Sequence, residues 1–358
     1  MKKVAIIGGG IFGASIALEL NAKYDVSIFE RSENILAGAT TCNHLRHHYG
    51  YHYPRSIMTA TESINARESF EKEYGGCVVG NFPAYYGISK TGSLTTPEDF
   101  LEFCNLLNLP YEIAWPDSEF MDRSKVSLCI KVPEPVYDPG KLRVITLEKL
   151  KNSNLKLNHD VIDGDIITGG LKRLKIKTTT DIYEDEFDYV IGAIYSRYNM
   201  INKWFNFPRK KILYELVELL EIELPIDKRI GLTLMDGEFS SVLPRGEKGT
   251  FTLGHVKESI LREMNSDDID TDLLVSENTI SNKEGIIKKG IEDFPIIDKA
   301  NFVRSILVAR VVKPDMDDTD ERPTEIIEHG NGIYSVFAGK VITCVEAAKK
   351  IFYLLPRK

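Results

Sequence analysis

The chain of 358 residues is poor in cysteine: Cys42, Cys77, Cys104, Cys129 and Cys344 are odd in number, scattered and never form a CxxC pair. A disulfide framework is thereby excluded, and a reducing compartment is the simplest setting. Four of these thiols read as small buried or loop residues, while Cys42 lies in a stretch that carries chemistry. Excess positive charge is missing too. With a net charge of -8, a pI near 5.5 and no basic stripe to neutralise a phosphate backbone, nucleic acid is not an expected partner. No apolar run is long enough to cross a membrane. Met1-Lys2-Lys3 resembles a leader start, but the apolar run behind it is cut by three glycines, so no cleavage and a cytoplasmic location are expected. What remains is a chain long enough for two domains, with 43% hydrophobic residues to fill their cores.

The first thirty residues carry the strongest pattern. An apolar strand, Val4-Ala5-Ile6-Ile7, runs into Gly8-x-Gly10-x-x-Gly13, a helical stretch follows, and a second strand, Val26-Ser27-Ile28-Phe29, ends on Glu30. This is the order of a dinucleotide-binding βαβ unit. Gly8 permits the tight turn, Gly10 lets the backbone approach a pyrophosphate, and Gly13 lets the helix lie close on the sheet. The helix start at Ile11 and Phe12 directs its free N–H groups and positive dipole end at the phosphates. Glu30, followed by Arg31, would accept ribose hydroxyls and repel a 2′-phosphate, which argues against a phosphorylated nicotinamide cofactor. A glycine-rich turn with a surface glutamate is the plainer alternative. The ordered strand, glycines, helix, strand and acid weigh against it.

Further along, Ile57 to Tyr74 reads as a helix ended by Gly75-Gly76. Short strands at Cys77–Val79 and Tyr85–Ile88 precede a helix begun by Thr96-Pro97. Leu142 to Leu150 is helical, Leu155–Leu157 and Asp188–Tyr195 are strands, and Leu213–Leu219, Ile230–Leu234, Ser240–Pro244 and Thr250–His255 supply an antiparallel sheet. Glu258 to Ile291 is charged and mostly helical, with Asp267, Asp268, Asp270 and Asp272 on a solvated face; an EF-hand loop would need a glycine they lack. Phe302–Val312 is a strand, Asp315 to Glu321 an acidic loop ending in Arg322-Pro323, and Gly332 to Thr343 a strand, glycine step and helix start.

Between these elements lies the densest chemistry, His44-Leu45-Arg46-His47-His48-Tyr49-Gly50-Tyr51-His52-Tyr53, with four of the chain's seven histidines. A metal site is one reading, although only Cys42 joins them at ligand spacing; a histidine-rich loop is another. Together with the opening βαβ unit, this segment resembles the D-amino-acid-oxidase-like superfamily of FAD-dependent oxidoreductases. Thr40, Thr41 and Asn43 match the family's small and polar stretch beside the flavin, His48-Tyr49-Gly50 its His-x-Gly step, and Gly339-Lys340-Val341-Ile342-Thr343 its closing Gly-Lys-hydrophobic-Thr motif. Ala338 and Cys344 are small departures from that ending, and His52 stands where the glycerol-phosphate members often have arginine.

The resemblance implies an α/β (α+β overall) fold: a Rossmann-like FAD-binding domain, residues 1–76, 136–205 and 300–358, with an inserted antiparallel-sheet substrate domain, residues 77–135 and 206–299. It implies FAD held by Gly8, Gly10, Ile11, Phe12, Gly13, Glu30, Arg31, Thr40, Thr41, Asn43, Val161 against the adenine, Ala193, Gly339, Lys340 and Val341. Catalytic roles fall to His48, His52, Arg310 and Arg322, and substrate contacts to Arg46, Tyr51, Tyr53 and Tyr214; no metal is expected. Arginine suits a carboxylate or phosphate because its planar fork binds two oxygens. A histidine can take a hydroxyl proton at neutral pH. With no second Gly-x-Gly-x-x-Gly for a nicotinamide, the substrate itself is expected to reduce the flavin, which oxygen, a quinone or a carrier then reoxidises. The leading expectation is hydride removal from a C–H bearing an amine in a small anionic substrate. The alternative is a 2-hydroxy acid or polyol phosphate, and a nicotinamide-dependent dehydrogenase or a non-catalytic nucleotide-binding module is more remote.

Overall fold

The computed structural model describes residues 1–267, 269, 274–275, 279–314 and 321–356. Its first sheet grows from the glycine-rich unit. Strand β1 (Lys3–Ile7) pairs in parallel with β2 (Asp25–Glu30) on one side and with Tyr189–Gly192 on the other. Asn154–Leu157 extends it beyond β2, and Ile333–Phe337 and then Glu325–Gly330 extend it beyond Tyr189–Gly192, giving six strands of which only the last pair is antiparallel. Helix α1 (Ile11–Leu20), which connects β1 to β2, is buried along most of its length, packing on the sheet and on the closing helix Cys344–Leu354. This explains why its apolar residues go all round it instead of forming one stripe.

Gly13 is the tightest point of that packing. A Cβ placed there would lie 1.9 Å from the carbonyl oxygen of Gly8. Gly13→Ala must therefore push α1 off β1, and we expect FAD affinity to fall at least about tenfold along with a lowered melting temperature, since overpacking costs about 1–3 kcal/mol or more. A flavin titration alongside a thermal melt checks this.

The second large sheet has nine strands and is mostly antiparallel, the exception being Gly231–Met235 beside Ala84–Ser89. Its longest member, Ile212–Glu223, pairs along its full length with Asn301–Val312. The latter strand, expected with the nucleotide unit, is thus part of this second sheet. A three-stranded sheet spanning 160–187 flanks the first.

Helix α2 (Ile57–Tyr74) begins at Ser56, whose hydroxyl accepts from the Thr59 amide. Thr96 likewise caps Pro97–Leu106, and Asp138 caps Pro139–Leu150. The expectation for Glu258 to Ile291 is corrected: Ile260–Ser266 is a strand on Ile212–Glu223, and among the described residues of this stretch the helix is confined to Lys283–Asp293. That strand stands at the sheet edge with most side chains in solvent, so it shows no apolar alternation to read. Asp268, Asp270, Asp272 and residues 315–320 of the acidic loop lie outside the described residues. No helix among the described residues is long and apolar enough to cross a membrane.

Candidate functional site

A cavity of about 780 Å³ runs from the carboxyl ends of β1 and β2 to the face of the nine-stranded sheet. At its nucleotide end the glycine turn opens onto the N-terminus of α1. Gly8 has φ +104°, and a Cβ there would sit 2.5 Å from the Ala193 carbonyl oxygen, so only glycine fits the turn. A Cβ on Gly10 would meet only the Thr40 hydroxyl, at 3.6 Å, which leaves the ground over the helix start clear. The first turn of α1 has no acidic side chain and no side-chain cap, and the Ile11 amide reaches the Thr40 hydroxyl at 3.3 Å. An uncompensated helix N-terminus beside glycines matches a pyrophosphate. Glu30 accepts from the Gly9 amide at 2.7 Å and the Ser32 amide at 2.8 Å, which fixes its carboxylate at the end of β2 on the cavity wall.

Most of the expected cofactor residues meet here: Ile11, Phe12, Arg31, Val161, Ala193, Gly339, Lys340 and Val341 also line the cavity. Two do not. Gly13 serves packing, and the Thr41 hydroxyl donates to the Leu36 carbonyl at 2.9 Å, bracing the loop from behind. Asn43 lines the wall while tying down its own segment, donating to the Ala39 carbonyl at 2.7 Å and accepting from the Leu45 amide at 2.6 Å. At the far end, Gly339 is obligatory because a Cβ would lie 2.2 Å from the Arg322 carbonyl oxygen.

The four histidines separate. His47 leaves the cavity to bond Glu71 at 3.1 Å and pack on Phe70. His44, His48 and His52 line it. His44 Nδ1 lies 2.9 Å from the Thr252 hydroxyl, and burial, with Arg46 and Arg310 nearby, pushes its pKa down to about 3. His48 Nδ1 is buried with no hydrogen-bond partner among the described residues. Burial first, then the charges of Lys340 and Arg46, hold His48 well below the ordinary histidine range. Its ring lies 6.0 Å from that of His52 and 5.4 Å from that of Tyr53, centroid to centroid, and the Lys340 ammonium sits 3.7 Å over the Tyr53 ring. The histidines therefore do not form one ligand set, and among the described residues no group of three His, Cys, Asp or Glu could hold a metal.

Because both imidazoles are neutral when folded and protonate more readily when unfolded, they contribute stability that is full above about pH 6.5. It is lost as the pH falls below about 6.5, for His44 down toward about 3, by up to about 1.4 kcal/mol per pH unit for each group. Thermal melts of the FAD-loaded protein should show a midpoint that declines through this window.

The arginines are spoken for more than expected. Arg46, buried yet lining the cavity, donates to Glu134 and the Thr233 hydroxyl, each at 2.9 Å, and to the Tyr86 hydroxyl. Tyr86 also donates to Glu134, whose other oxygen accepts from the Tyr49 amide at 2.8 Å. Arg310 lines the cavity but is ion-paired with Glu215. Arg322 lines it as well, its amide held by the Thr59 hydroxyl at 3.1 Å. Of the tyrosines, Tyr53 lines the cavity. Tyr51 is buried with its hydroxyl on the Pro110 carbonyl at 2.6 Å, and Tyr214 sits in a separate apolar cluster with Tyr198 and Val311, so neither lines the cavity as expected of a substrate contact. Sequence reading missed Glu134 and the cavity-lining His255, which no motif marks.

Comparison with known proteins agrees with this construction. Residues 3–124 match the family model described as FAD dependent oxidoreductase, DAO. The FAD-dependent monooxygenase FPY4 of Fusarium mangiferae is 26% identical over 98% of this chain and 90% of its own. Among solved structures, the FAD-bound L-alpha-glycerophosphate oxidase of Mycoplasma pneumoniae superposes with a TM-score of 0.76 at 14% identity, covering 100% of this chain and 96% of that one. Glycine oxidase of Geobacillus kaustophilus gives 0.72 at 13% identity, over 99% and 95%. With the glycine turn, the open helix N-terminus and the closing Gly339 segment all on one cavity, the chain is an FAD-dependent oxidoreductase whose first third matches the DAO family model.

Proposed function

We propose that this flavoenzyme oxidises a carbon bearing a hydroxyl group, with His48 as the proton acceptor. The observation that carries the reading is the His48 ring on the cavity wall, its Nδ1 buried with no hydrogen-bond partner among the described residues and so open to a substrate proton. An amine can shed its proton to water before it is oxidised, whereas a hydroxyl needs a base in place. In this reading the O–H proton passes to the imidazole, the C–H hydride leaves with both bonding electrons, and a carbonyl remains. FAD, when bound, supplies the acceptor for that hydride.

The amides at the start of α1, with Gly8 and Gly10, would hold the pyrophosphate, Glu30 the ribose and Val161 the adenine. Thr40, Asn43 and Gly339 to Val341 would then flank the ring system. The charges of Lys340 and Arg46 leave His48 unprotonated before substrate arrives and oppose the proton it then takes up. The single glycine fingerprint supports reduction by the substrate without a nicotinamide.

Anaerobic mixing of the FAD-loaded enzyme with matched pairs tests the choice: benzyl alcohol against benzylamine, and mandelate against phenylglycine. Bleaching by the hydroxyl member of a pair is expected. Bleaching confined to the amines would replace this reading with an amine oxidase.

A further inference from the structure

The strand Ile212–Glu223 turns Glu215, Val217, Leu219 and Glu221 to one face, because alternate residues share a side. Opposite them in register stand Arg310, Val308, Ile306 and Arg304. The two strands thus present an ion pair, two apolar pairs and a second ion pair in succession. Glu215 holds Arg310 at one end. At the other, Glu221 accepts from Arg304 at 2.7 Å, from the Thr250 hydroxyl at 2.8 Å, and lies 3.4 Å from Arg245.

Between these closed pairs, Val217, Leu219 and Ile306 form an apolar cluster of their own, apart from the large cores, with Val308 and Cys42 packed against it. Val217, Leu219 and Val308 line the cavity. By strand geometry the two ion pairs stand about 20 Å apart, with the two apolar pairs about 7 Å from each other between them. Arg46, which sequence alone offers as an anion receptor, already has its charge met by Glu134.

We propose that the substrate is uncharged and carries an apolar body of several carbons, which lies on the stripe formed by Val217, Leu219 and Val308, with Ile306 packed behind them. The proposal rests on the hydroxyl reading above and departs from the small anionic substrate expected from sequence. A carboxylate or phosphate lying on this stripe would be desolvated against Val217 and Leu219 without a new partner, which opposes it. An alkyl or aryl group there would gain affinity at about fourfold per buried methylene. Arg310, at one end of the stripe, is held by Glu215, and Lys340 stands over the Tyr53 ring.

The test uses the FAD-loaded enzyme under anaerobic conditions, with binding read from perturbation of the visible flavin spectrum and reduction read from bleaching. Ethanol, butanol and hexanol give the dependence on length; benzyl alcohol against mandelate gives the dependence on charge. Half-saturation should fall about fourfold per methylene along the series, and benzyl alcohol should bind at least about tenfold more tightly than mandelate. Leu219→Ala should lower the hexanol-to-ethanol affinity ratio about tenfold while leaving FAD affinity within about twofold.

Tighter binding of mandelate, or no dependence on length, overturns the proposal and leaves the hydroxyl reading standing. Bleaching by amines alone overturns that reading instead. Loss of FAD affinity in Leu219→Ala with an unchanged ratio would assign the stripe to the cofactor, and the absence of any spectral change with hexanol or benzyl alcohol would also overturn the proposal. Val217→Ala, read the same way, covers a failure of the first variant to fold.

Discussion

Replacing His48 with alanine should slow flavin reduction by about 10²–10⁴-fold, the usual worth of a positioned general base, while the protein still binds FAD. The His48 ring lines the cavity and is kept neutral, and no hydrogen bond to its Nδ1 among the described residues competes for the ring. A merely structural role would predict a loss insensitive to proton carriers. The base role predicts that added imidazole restores part of the rate in His48→Ala. It also predicts a wild-type rate that stays flat from neutral pH down through about pH 6, because the folded-state pKa lies well below the ordinary value of 6.5 and the base remains unprotonated there. Rapid mixing with the reducing alcohol, with and without imidazole, measures both. Retention of the full rate in His48→Ala would remove the residue from the chemistry.

The largest effect on stability is expected at Glu134. Its carboxylate is buried and receives Arg46, Tyr86 and the Tyr49 amide, so Glu134→Ala strands a guanidinium that is itself buried. Breaking such a pair from one side costs about 3–5 kcal/mol, much of it the desolvation of the survivor. Chemical denaturation of the variant should show this loss. The double variant Arg46→Met with Glu134→Leu should recover most of it, since no uncompensated charge is left. If Glu134→Ala unfolds at the wild-type midpoint, water reaches Arg46 and the network is not closed.

How much of this was legible in the sequence depends on how local each constraint is. The βαβ unit obeys rules of spacing within thirty residues, and β1, α1 and β2 form where the glycines and apolar runs place them. Helix α2 ends at Gly75, as its sequence indicates. The histidine segment was legible as chemistry but not as roles, because His47 turns to Glu71 and His44 to Thr252 for reasons set by packing. Arg46 shows the limit plainly: its partner lies 88 residues away, and nothing near either residue announces the pair. Likewise, the apolar, β-branched residues of Asn301–Val312 mark a strand without saying which sheet it joins. Ile260–Ser266, charged and on an edge, carries neither signal. Tyr51 and Tyr214 have the residue type of substrate contacts, but their hydroxyl partner or apolar surroundings draw them into the interior.

On the proposed function, a hydroxyl-bearing substrate reduces the bound flavin directly at this cavity. The most direct measurement is to load the protein with FAD, remove oxygen, and record the visible absorbance after adding benzyl alcohol or hexanol in one vessel and NADH or NADPH in another. The account predicts bleaching by the alcohol alone and none by the nicotinamides over the same time. Bleaching that requires a nicotinamide would contradict it.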